Sequence, residues 1–216
     1  SFNKFEYICN MEKISTKHTI FFDASQNMSC INDSSVDLVV TSPPYPMIEM
    51  WDDIMSLQNP KIADELENNP QIAFELMHKE LDLVWAECYR VIKDGGFLCI
   101  NIGDATRTIK GKFQLFNNHS RIIQSCLNLG FTGLPNIIWR KQTNAPNKFM
   151  GSGMLPCGAY VTLEHEWILI FRKSNKRLYK KDKATGKEGV TLAGVMLFVK
   201  DTTKICIKRY IKVYRE

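Results

Sequence analysis

The residues best suited to chemistry lie in one stretch, Thr41-Ser42-Pro43-Pro44-Tyr45. It directly follows a short, β-branched apolar run at 36–40, which predicts a strand buried on both faces. The two prolines lack N–H groups and hold φ nearly fixed, so they end the strand in a stiff, extended turn. We therefore predict that this turn lies at the C-terminal end of a parallel strand, where open α/β sheets bind their ligands.

The side chains of this turn suit a planar substrate that carries an amino group. The hydroxyl of Ser42 and an outward carbonyl at Pro43 can accept hydrogen bonds from the amine, and the ring of Tyr45 can stack on the substrate. We predict a catalytic site formed by Ser42, Pro43, Pro44 and Tyr45. On these residues alone, a proline-stiffened surface loop without function remains the alternative.

The elements after the turn form a strand–helix–strand unit. Apolar residues recur at three- and four-residue spacing and predict one long helix packed on the sheet: Phe74, Met77, Leu81, Val84, Cys88 and Val91. We expect a glycine cap at 93–96 to end it and a buried strand to follow at 97–102. The polar residues 52–70 are expected to be irregular with one short helix near 61–67, and His78 to lie on the surface.

Two carboxylates should share the sheet edge with Ser42. Such a unit has parallel strands and a right-handed crossover, so Asp104, just after the second strand, lies at that edge. Asp23 follows a short strand at 19–22 and is expected there too. Either carboxylate can contact a ligand, but Asp23 can equally cap a helix and Asp104 a turn.

The second half of the chain predicts a helix at 118–129 and then two strands, at 131–141 and 160–172, which we expect to pair antiparallel. The segment between these strands is rich in Gly, Pro and Asn. It connects a site edge to Arg140, Lys141 and Lys148, three basic residues suited to bind phosphate groups. A structured surface turn is the alternative for this loop.

Composition indicates a soluble globular protein, with 44% apolar and 24% charged residues. The seven cysteines include no CxxC pair, so we expect reduced thiols, no metal site and a cytoplasmic location. No apolar run of 18 residues exists, which predicts no membrane span.

Residues 1–171 carry 14 basic and 19 acidic residues, whereas residues 172–216 carry 14 basic and 4 acidic ones. The basic tail is either a phosphate-binding arm or a solvated extension.

Ser-Pro-Pro-Tyr after an apolar strand resembles the catalytic motif of the DNA amino-methyltransferases, in the beta arrangement that places this motif first. The resemblance implies an α/β, Rossmann-like methyltransferase sheet with antiparallel edge strands, S-adenosylmethionine as cofactor and double-stranded DNA as partner. It places Asp23, Thr41 and Asp104 at the cofactor and Arg140, Lys141 and Lys148 at the DNA. Serine in the first position of this motif resembles the pattern of the N4-cytosine branch, because adenine-N6 enzymes more often carry Asp or Asn there.

The resemblance extends from about residue 8 to about residue 173 and lacks the glycine-rich cofactor loop. Residues 149–153 spell FxGxG, but no strand precedes them and no helix follows, as that loop would require. We therefore predict a partial catalytic domain at 1–173 and a basic tail at 174–216, the tail being the start of a target-recognition region or an extension. A second chain supplying the loop, or a homodimer, would complete the enzyme. An inactive DNA-binding fragment is the alternative from another class.

Overall fold

The computed structural model describes residues 24–141 and 163–176, together with the backbone of a strand at 196–200. The first elements are β1 (Val36–Ser42), a 3-10 turn (Glu49–Trp51), α1 (Asp52–Gln58), α2 (Lys61–Asn68), α3 (Pro70–Val91) and β2 (Ile92–Ile102). Those that follow are β3 (Ala105–Ile109), β4 (Lys112–Phe116), α4 (Asn118–Asn128), β5 (Phe131–Gly133), β6 (Ile137–Arg140), β7 (His165–Lys173) and β8 (Met196–Lys200). The predicted strand at 19–22 lies outside these residues.

The described strands form a mixed sheet with the order β5-β7-β2-β1-β8, and β6 also pairs with β7. β1 runs parallel to both β2 and β8. β7 runs antiparallel to β2, β5 and β6. The predicted α/β sheet with antiparallel edge strands is confirmed, and β1 lies between two parallel neighbours.

Helix α3 crosses from β1 to β2 and supplies much of the core. All six residues of its predicted apolar face are buried. The expectation that His78 lies on the surface is wrong, because its side chain is fully buried. It lies beside the apolar stripe, where its imidazole contacts the ring of Phe74 at 4.5 Å between centroids and a side chain of α4.

No glycine cap separates α3 from β2, which corrects the expected helix end. Strand β2 begins at Ile92 opposite Val36, and the next pair of partners is Leu38 and Phe97. The residues between Ile92 and Phe97 therefore form a bulge in the strand. Gly95 has a positive φ of 73°, and a Cβ on Gly96 would lie 2.8 Å from the Ile92 side chain. The glycines serve a tight bulge rather than a cap.

Helix α2 confirms the short helix expected near 61–67, whereas α1 is a helix where an irregular segment was expected. Helices α1 and α2 each bury one apolar side chain, Met55 and Ile62 respectively. A two-pronged ion pair between Asp52 and Arg107, at 2.7 Å, fastens α1 to β3. So few buried positions leave almost no periodic signal in the sequence.

The predicted strand at 131–141 is split into β5 and β6, and both pair with β7 as expected. Strand β8 covers the end of the apolar run 190–199 and one residue beyond it. It pairs with β1 from Leu38 opposite Met196 to Ser42 opposite Lys200. The predicted division of the chain at residue 173 stays a prediction.

Within the described residues, no helix has the length and apolar character to cross a membrane. The same residues contain no group of three or more His, Cys, Asp or Glu side chains arranged to hold a metal ion. Their four cysteines, Cys30, Cys88, Cys99 and Cys126, are not joined to one another by disulfide bonds.

Candidate functional site

The predicted catalytic turn lies where β1 ends. Thr41 and Ser42 are the last residues of the strand, and Thr41 lies opposite Ile100 of β2. Ser42 is exposed, the two prolines after it are buried, and Tyr45 is half-buried. The turn therefore presents a serine hydroxyl and part of an aromatic ring at the carboxyl edge of the parallel strands, as the sequence predicted.

The turn is held in place by hydrogen bonds from the buried side chain of Asn118, the first residue of α4. Its Nδ2 donates to the carbonyls of Pro46 and Gly103, each at 3.0 Å. These two bonds tie the proline turn to the end of β2. Oδ1 of Asn118 accepts from Nε2 of His78 at 3.0 Å, so a fully buried amide and imidazole fix the position of the turn.

Strain follows directly after the turn. Met47 has a φ of 66°, in the left-handed region that a side chain with a Cβ rarely occupies, and it is fully buried. Its N–H points to Sδ of Met77 at 3.3 Å. Surrounding contacts must hold this conformation in place, and such backbone strain is typical of functional sites.

Tyr45 contributes a hydroxyl as well as a ring. Its oxygen lies 3.3 Å from Oγ of Ser42 and accepts from Nδ2 of Asn101 at 2.9 Å. A Cβ on Gly103 would lie 3.1 Å from the Tyr45 ring, so the ring packs closely on the backbone there. Burial, with the nearby charge of Glu166, raises the pKa of Tyr45 to about 12, so the phenol is protonated at neutral pH.

Glu166 on β7 completes a polar network that the sequence interpretation missed. Its Oε2 accepts from Nδ2 of Asn101 at 2.7 Å, and its Oε1 is bound by the ammonium of Lys141. Burial would raise the pKa of this carboxyl, but the bonds from Lys141 and Asn101 outweigh it and hold the pKa below its ordinary value. No local motif marks Glu166, because its partner Asn101 is 65 residues away in the chain.

Asp104 lies at the predicted edge, but its carboxylate already has partners. It accepts from the backbone N–H of His119 at 3.0 Å and contacts Nδ1 of the same residue at 2.6 Å. The His119 ring stacks on Trp167 at 4.5 Å between centroids. Asp104 thus binds the first turn of α4, whereas the alternative that the sequence left open for it was the capping of a turn. A contact between Asp104 and a cofactor stays a prediction.

The remaining predicted contacts are only partly described. Arg140 is 84% exposed and lies 3.7 Å from Glu164, so its guanidinium is open to a phosphate. Lys141 is bound by Glu166 beside the site, and its side chain is 47% exposed. Asp23 and Lys148 lie outside the described residues. Thr41 is 4% exposed, which leaves little of its side chain for a ligand.

The arrangement is suited to hold an amine rather than to move a proton. The exposed Oγ of Ser42 can accept a hydrogen bond, and Tyr45 next to it presents an aromatic ring. Oδ1 of Asn101 is buried and has no hydrogen-bond partner among the described residues. A protonated phenol cannot act as a base near neutral pH, so the chemistry that this edge supports is positioning.

The chain is similar in sequence to known methyltransferases. The sequence model of the DNA methylase family matches residues 36–207. A type II methyltransferase of Methanothermobacter thermautotrophicus, M.MthZI, is 54% identical over 169 residues, which cover 77% of this chain and 48% of the relative. M.MjaI of Methanocaldococcus jannaschii is 52% identical over 180 residues and covers 77% of this chain and 59% of its own length. The chain thus spans about half the length of these curated relatives.

Two solved structures share the fold. A protein described as a putative DNA modification methylase from Thermus thermophilus, in complex with S-adenosyl-L-methionine, superposes with a TM-score of 0.54 at 30% identity. The match covers 76% of this chain and 58% of that one. PvuII DNA methyltransferase, described as cytosine-N4-specific, superposes with a TM-score of 0.51 over 86% of this chain and 58% of its own. Its identity of 14% makes that likeness evidence of the fold alone.

The family match includes β1, the proline turn and every described element after them. It covers well over half of the chain. This chain therefore belongs to the DNA methylase family.

Proposed function

We propose that this chain carries the catalytic edge of a DNA methyltransferase that moves a methyl group from S-adenosylmethionine to N4 of cytosine. The observation that carries the proposal is the exposed Ser42 hydroxyl at the carboxyl end of β1, 3.3 Å from the hydroxyl of Tyr45. An acceptor beside an aromatic ring at this edge is what the exocyclic amine of a base requires.

The target cytosine has to leave the double helix before this edge can reach it. Its amine lies within the base stack, and extruding the base costs a few kcal/mol. Stacking on Tyr45 would recover part of that cost. Ser42 and the Pro43 carbonyl would then accept hydrogen bonds from N4 and draw its lone pair out of conjugation with the ring. Positioning of this kind, rather than proton transfer by a side chain, supplies most of the rate.

S-adenosylmethionine fits the described residues at one point. The unpartnered, buried Oδ1 of Asn101 can accept from an amino or hydroxyl group of such a ligand. Thr41 and Asp104 are the other described residues that we propose to face it, Asp104 only with the acceptor capacity that His119 leaves. When bound, this group supplies an electrophilic methyl carbon on a sulfonium.

Phosphate contacts would come from the basic residues next to this edge. We propose that Arg140, Lys141 and Lys148 contribute, and Arg140 is supported most strongly by its exposure. The choice of cytosine over adenine rests on serine as the first residue of the motif. Pro44 would keep Ser42 and Tyr45 in their present spacing, because proline restricts the residue before it as well as its own φ.

The change Ser42→Ala tests the proposal. In the full encoded length of the protein, we expect it to lower methyl transfer from labelled S-adenosylmethionine to DNA by roughly a hundredfold, as loss of one positioned hydrogen-bonding group in a catalytic site typically does. DNA affinity should change little, because the hydroxyl is a small part of the contact surface.

Ser29→Ala is the matched control, since Ser29 is an exposed serine before β1. It should leave both quantities unchanged. Full turnover in Ser42→Ala would contradict the proposed site. If the wild-type protein binds DNA without transferring any methyl group, that result would instead support the alternative that it is an inactive DNA-binding protein.

A further inference from the structure

The buried amide of Asn118 joins two segments that the proposed reaction uses in different ways. Pro46 directly follows the catalytic turn, which would receive the base. Gly103 lies between Asn101 and Asp104, which the proposed function places at S-adenosylmethionine. Nδ2 of Asn118 donates to the backbone carbonyls of Pro46 and Gly103, each at 3.0 Å. One side chain thus connects the half of the site for the base to the half for the cofactor.

The sheet alone does not fix the spacing of these two halves. The pairing of β1 with β2 ends at Thr41 opposite Ile100. Beyond these partners the turn and the end of β2 are no longer joined by the strand ladder, so side chains have to hold them. Asn118 reaches them from α4, 72 residues from Pro46 and 15 from Gly103 in the chain.

The orientation of the Asn118 amide follows from its partners. Two carbonyl oxygens face Nδ2, and only an NH2 group can donate to both. Oδ1 therefore points the other way, toward Nε2 of His78 at 3.0 Å, and accepts its proton. Both side chains are fully buried, so water cannot replace a lost donor.

The peptide bond between Pro46 and Met47 is held on both sides by buried side chains. Its carbonyl accepts from Asn118, and its N–H points to Sδ of Met77 at 3.3 Å. Met47 has a φ of 66°, a strained conformation that persists only where the surroundings enforce it. Without Asn118 this carbonyl would be left unpaired, and rotation of the peptide would relieve the strain. Such a rotation would move the catalytic turn relative to β2.

We propose that Asn118 is a positioning residue that sets the spacing between the turn that receives the base and the end of β2 that faces S-adenosylmethionine. The proposal rests on the proposed function, since that function assigns the two halves. Asn118 touches neither ligand and acts through the carbonyls of Pro46 and Gly103. Its effect falls on the transfer step, because misplacing two reacting groups by about 1 Å can cost roughly a hundredfold in rate.

Asn118→Asp tests this with almost no change in size, because a carboxylate cannot donate to the two carbonyls. In the full encoded length of the protein, we expect the single-turnover rate constant for methyl transfer to fall roughly ten- to a hundredfold. KM for DNA and for S-adenosylmethionine should stay within about twofold of the wild type, because each half still binds its own ligand. A variant that is only less stable would give fewer active molecules, but its single-turnover rate constant would be unchanged.

Asn117→Asp is the matched control. It makes the same substitution at the preceding residue, whose side chain is exposed and makes no capping hydrogen bond to α4. It should leave the single-turnover rate constant and both KM values unchanged.

Two substitutions of His78 decide the matter if Asn118→Asp does not fold. Leucine leaves Oδ1 of Asn118 without its donor, so His78→Leu should lower the single-turnover rate constant roughly fivefold. The amide of glutamine can donate in place of Nε2, so His78→Gln should recover most of that loss. Equal losses in the two variants would overturn the proposal.

A readout that needs no activity separates this inference from the proposed function. Carbon-13 NMR of labelled tyrosine rings, with the Tyr45 signal assigned by its absence in Tyr45→Phe, reports how the ring packs on Gly103, where a Cβ would lie 3.1 Å from it. The Tyr45 signal should shift in Asn118→Asp and stay in place in Asn117→Asp. If the wild type transfers no methyl group, the proposed function fails and this shift alone decides the inference. An unchanged Tyr45 signal, or a wild-type rate constant in Asn118→Asp, would overturn it.

Discussion

Asn118 uses every hydrogen-bonding group of its amide beneath the catalytic turn. Its two N–H groups are taken by the carbonyls of Pro46 and Gly103, so its oxygen must accept, and the donor is Nε2 of His78. His78 is thereby held as the Nε2–H tautomer, and its Nδ1 has no partner among the described residues. The site thus depends on a neutral imidazole.

That dependence predicts how stability varies with pH. Burial lowers the pKa of His78 from 6.5 to about 3. Between these two values the unfolded chain binds a proton that the folded chain does not, so stability falls as the pH falls. Linkage predicts a loss of about 2 kcal/mol between pH 7 and pH 5 from this group.

Urea unfolding of the wild type and of His78→Gln at several pH values measures this contribution. Glutamine can still donate to Asn118 but does not titrate, so the difference between the two proteins should shrink by that amount at pH 5. His165→Gln is the control, because it makes the same substitution at a histidine on β7 that is only half-buried. Parallel stability curves for the wild type and His78→Gln would contradict the prediction.

Single residues were predictable where the chemistry is local. Ser42 and Tyr45 are three residues apart, and the strand and prolines of their own segment predict their place at the sheet edge, while their binding of an amine stays a prediction. Glu166 and Asn118 could not be found in this way. Their partners lie 65 residues away at Asn101 and 40 residues away at His78, and only the fold brings them together. For Tyr45 the sequence indicated a stacking ring, whereas the structure adds a hydrogen-bonded hydroxyl.

An ion pair contributes to the position of helix α1. Asp52 and Arg107 join it to β3 through two bonds, at 3.0 and 2.7 Å, and their side chains are 14% and 22% exposed. A two-pronged pair that is largely shielded from solvent has more effect on stability than an exposed pair. It joins the segment after the catalytic turn to the segment after β2.

A double-mutant cycle on Asp52→Ala and Arg107→Ala should therefore give a coupling energy of about 1–2 kcal/mol in the free energy of unfolding. Asp33 is the comparison, because its carboxylate contacts Arg90 but is 75% exposed. Asp33→Ala should cost less than about 0.5 kcal/mol. Equal, small effects at the two sites would show that α1 is held by apolar packing alone.

Elements with a strong hydrophobic period were predictable, and those shaped by tertiary contact were not. The stripe on α3 and the run at 97–102 gave the correct helix and the correct parallel strand. The glycines at 95 and 96 are typical of a helix end, yet here they allow β2 to bulge past Asp37, whose carbonyl would lie 2.9 Å from a Cβ on Gly96. The choice between cap and bulge depends on the neighbouring strand, which local sequence does not contain.

Across the whole molecule, the apolar run 190–199 favours a strand, but the local sequence does not give its place in the sheet. Strand β8 pairs in parallel with β1, and its last residue, Lys200, lies opposite Ser42. Pairing at such a separation in the chain leaves no local signal. Residues of the basic tail therefore belong to the same sheet as the catalytic turn.

The uneven charge predicts where DNA binds. Residues 172–216 carry 14 basic and 4 acidic residues, while the rest of the chain is net acidic. Replacing Lys180, Lys181 and Lys183 by Gln should weaken DNA binding and make it less sensitive to salt, by a slope of about 0.9 for each phosphate that is no longer neutralised. The same change at three exposed lysines of the body, Lys61, Lys79 and Lys112, should have little effect. Binding titrations at several salt concentrations compare the two sets, and a larger effect from the body lysines would contradict the prediction.

The identity of the methylated base tests the central claim most directly. The protein in its full encoded length is incubated with DNA and S-adenosylmethionine, and the digested nucleosides are measured by mass spectrometry. Because Ser42 opens the motif, we predict N4-methylcytosine as the product, and its loss in Ser42→Ala. N6-methyladenine in its place would contradict the assignment of cytosine as the target base. DNA without any modified base would contradict the proposal that the protein is a methyltransferase.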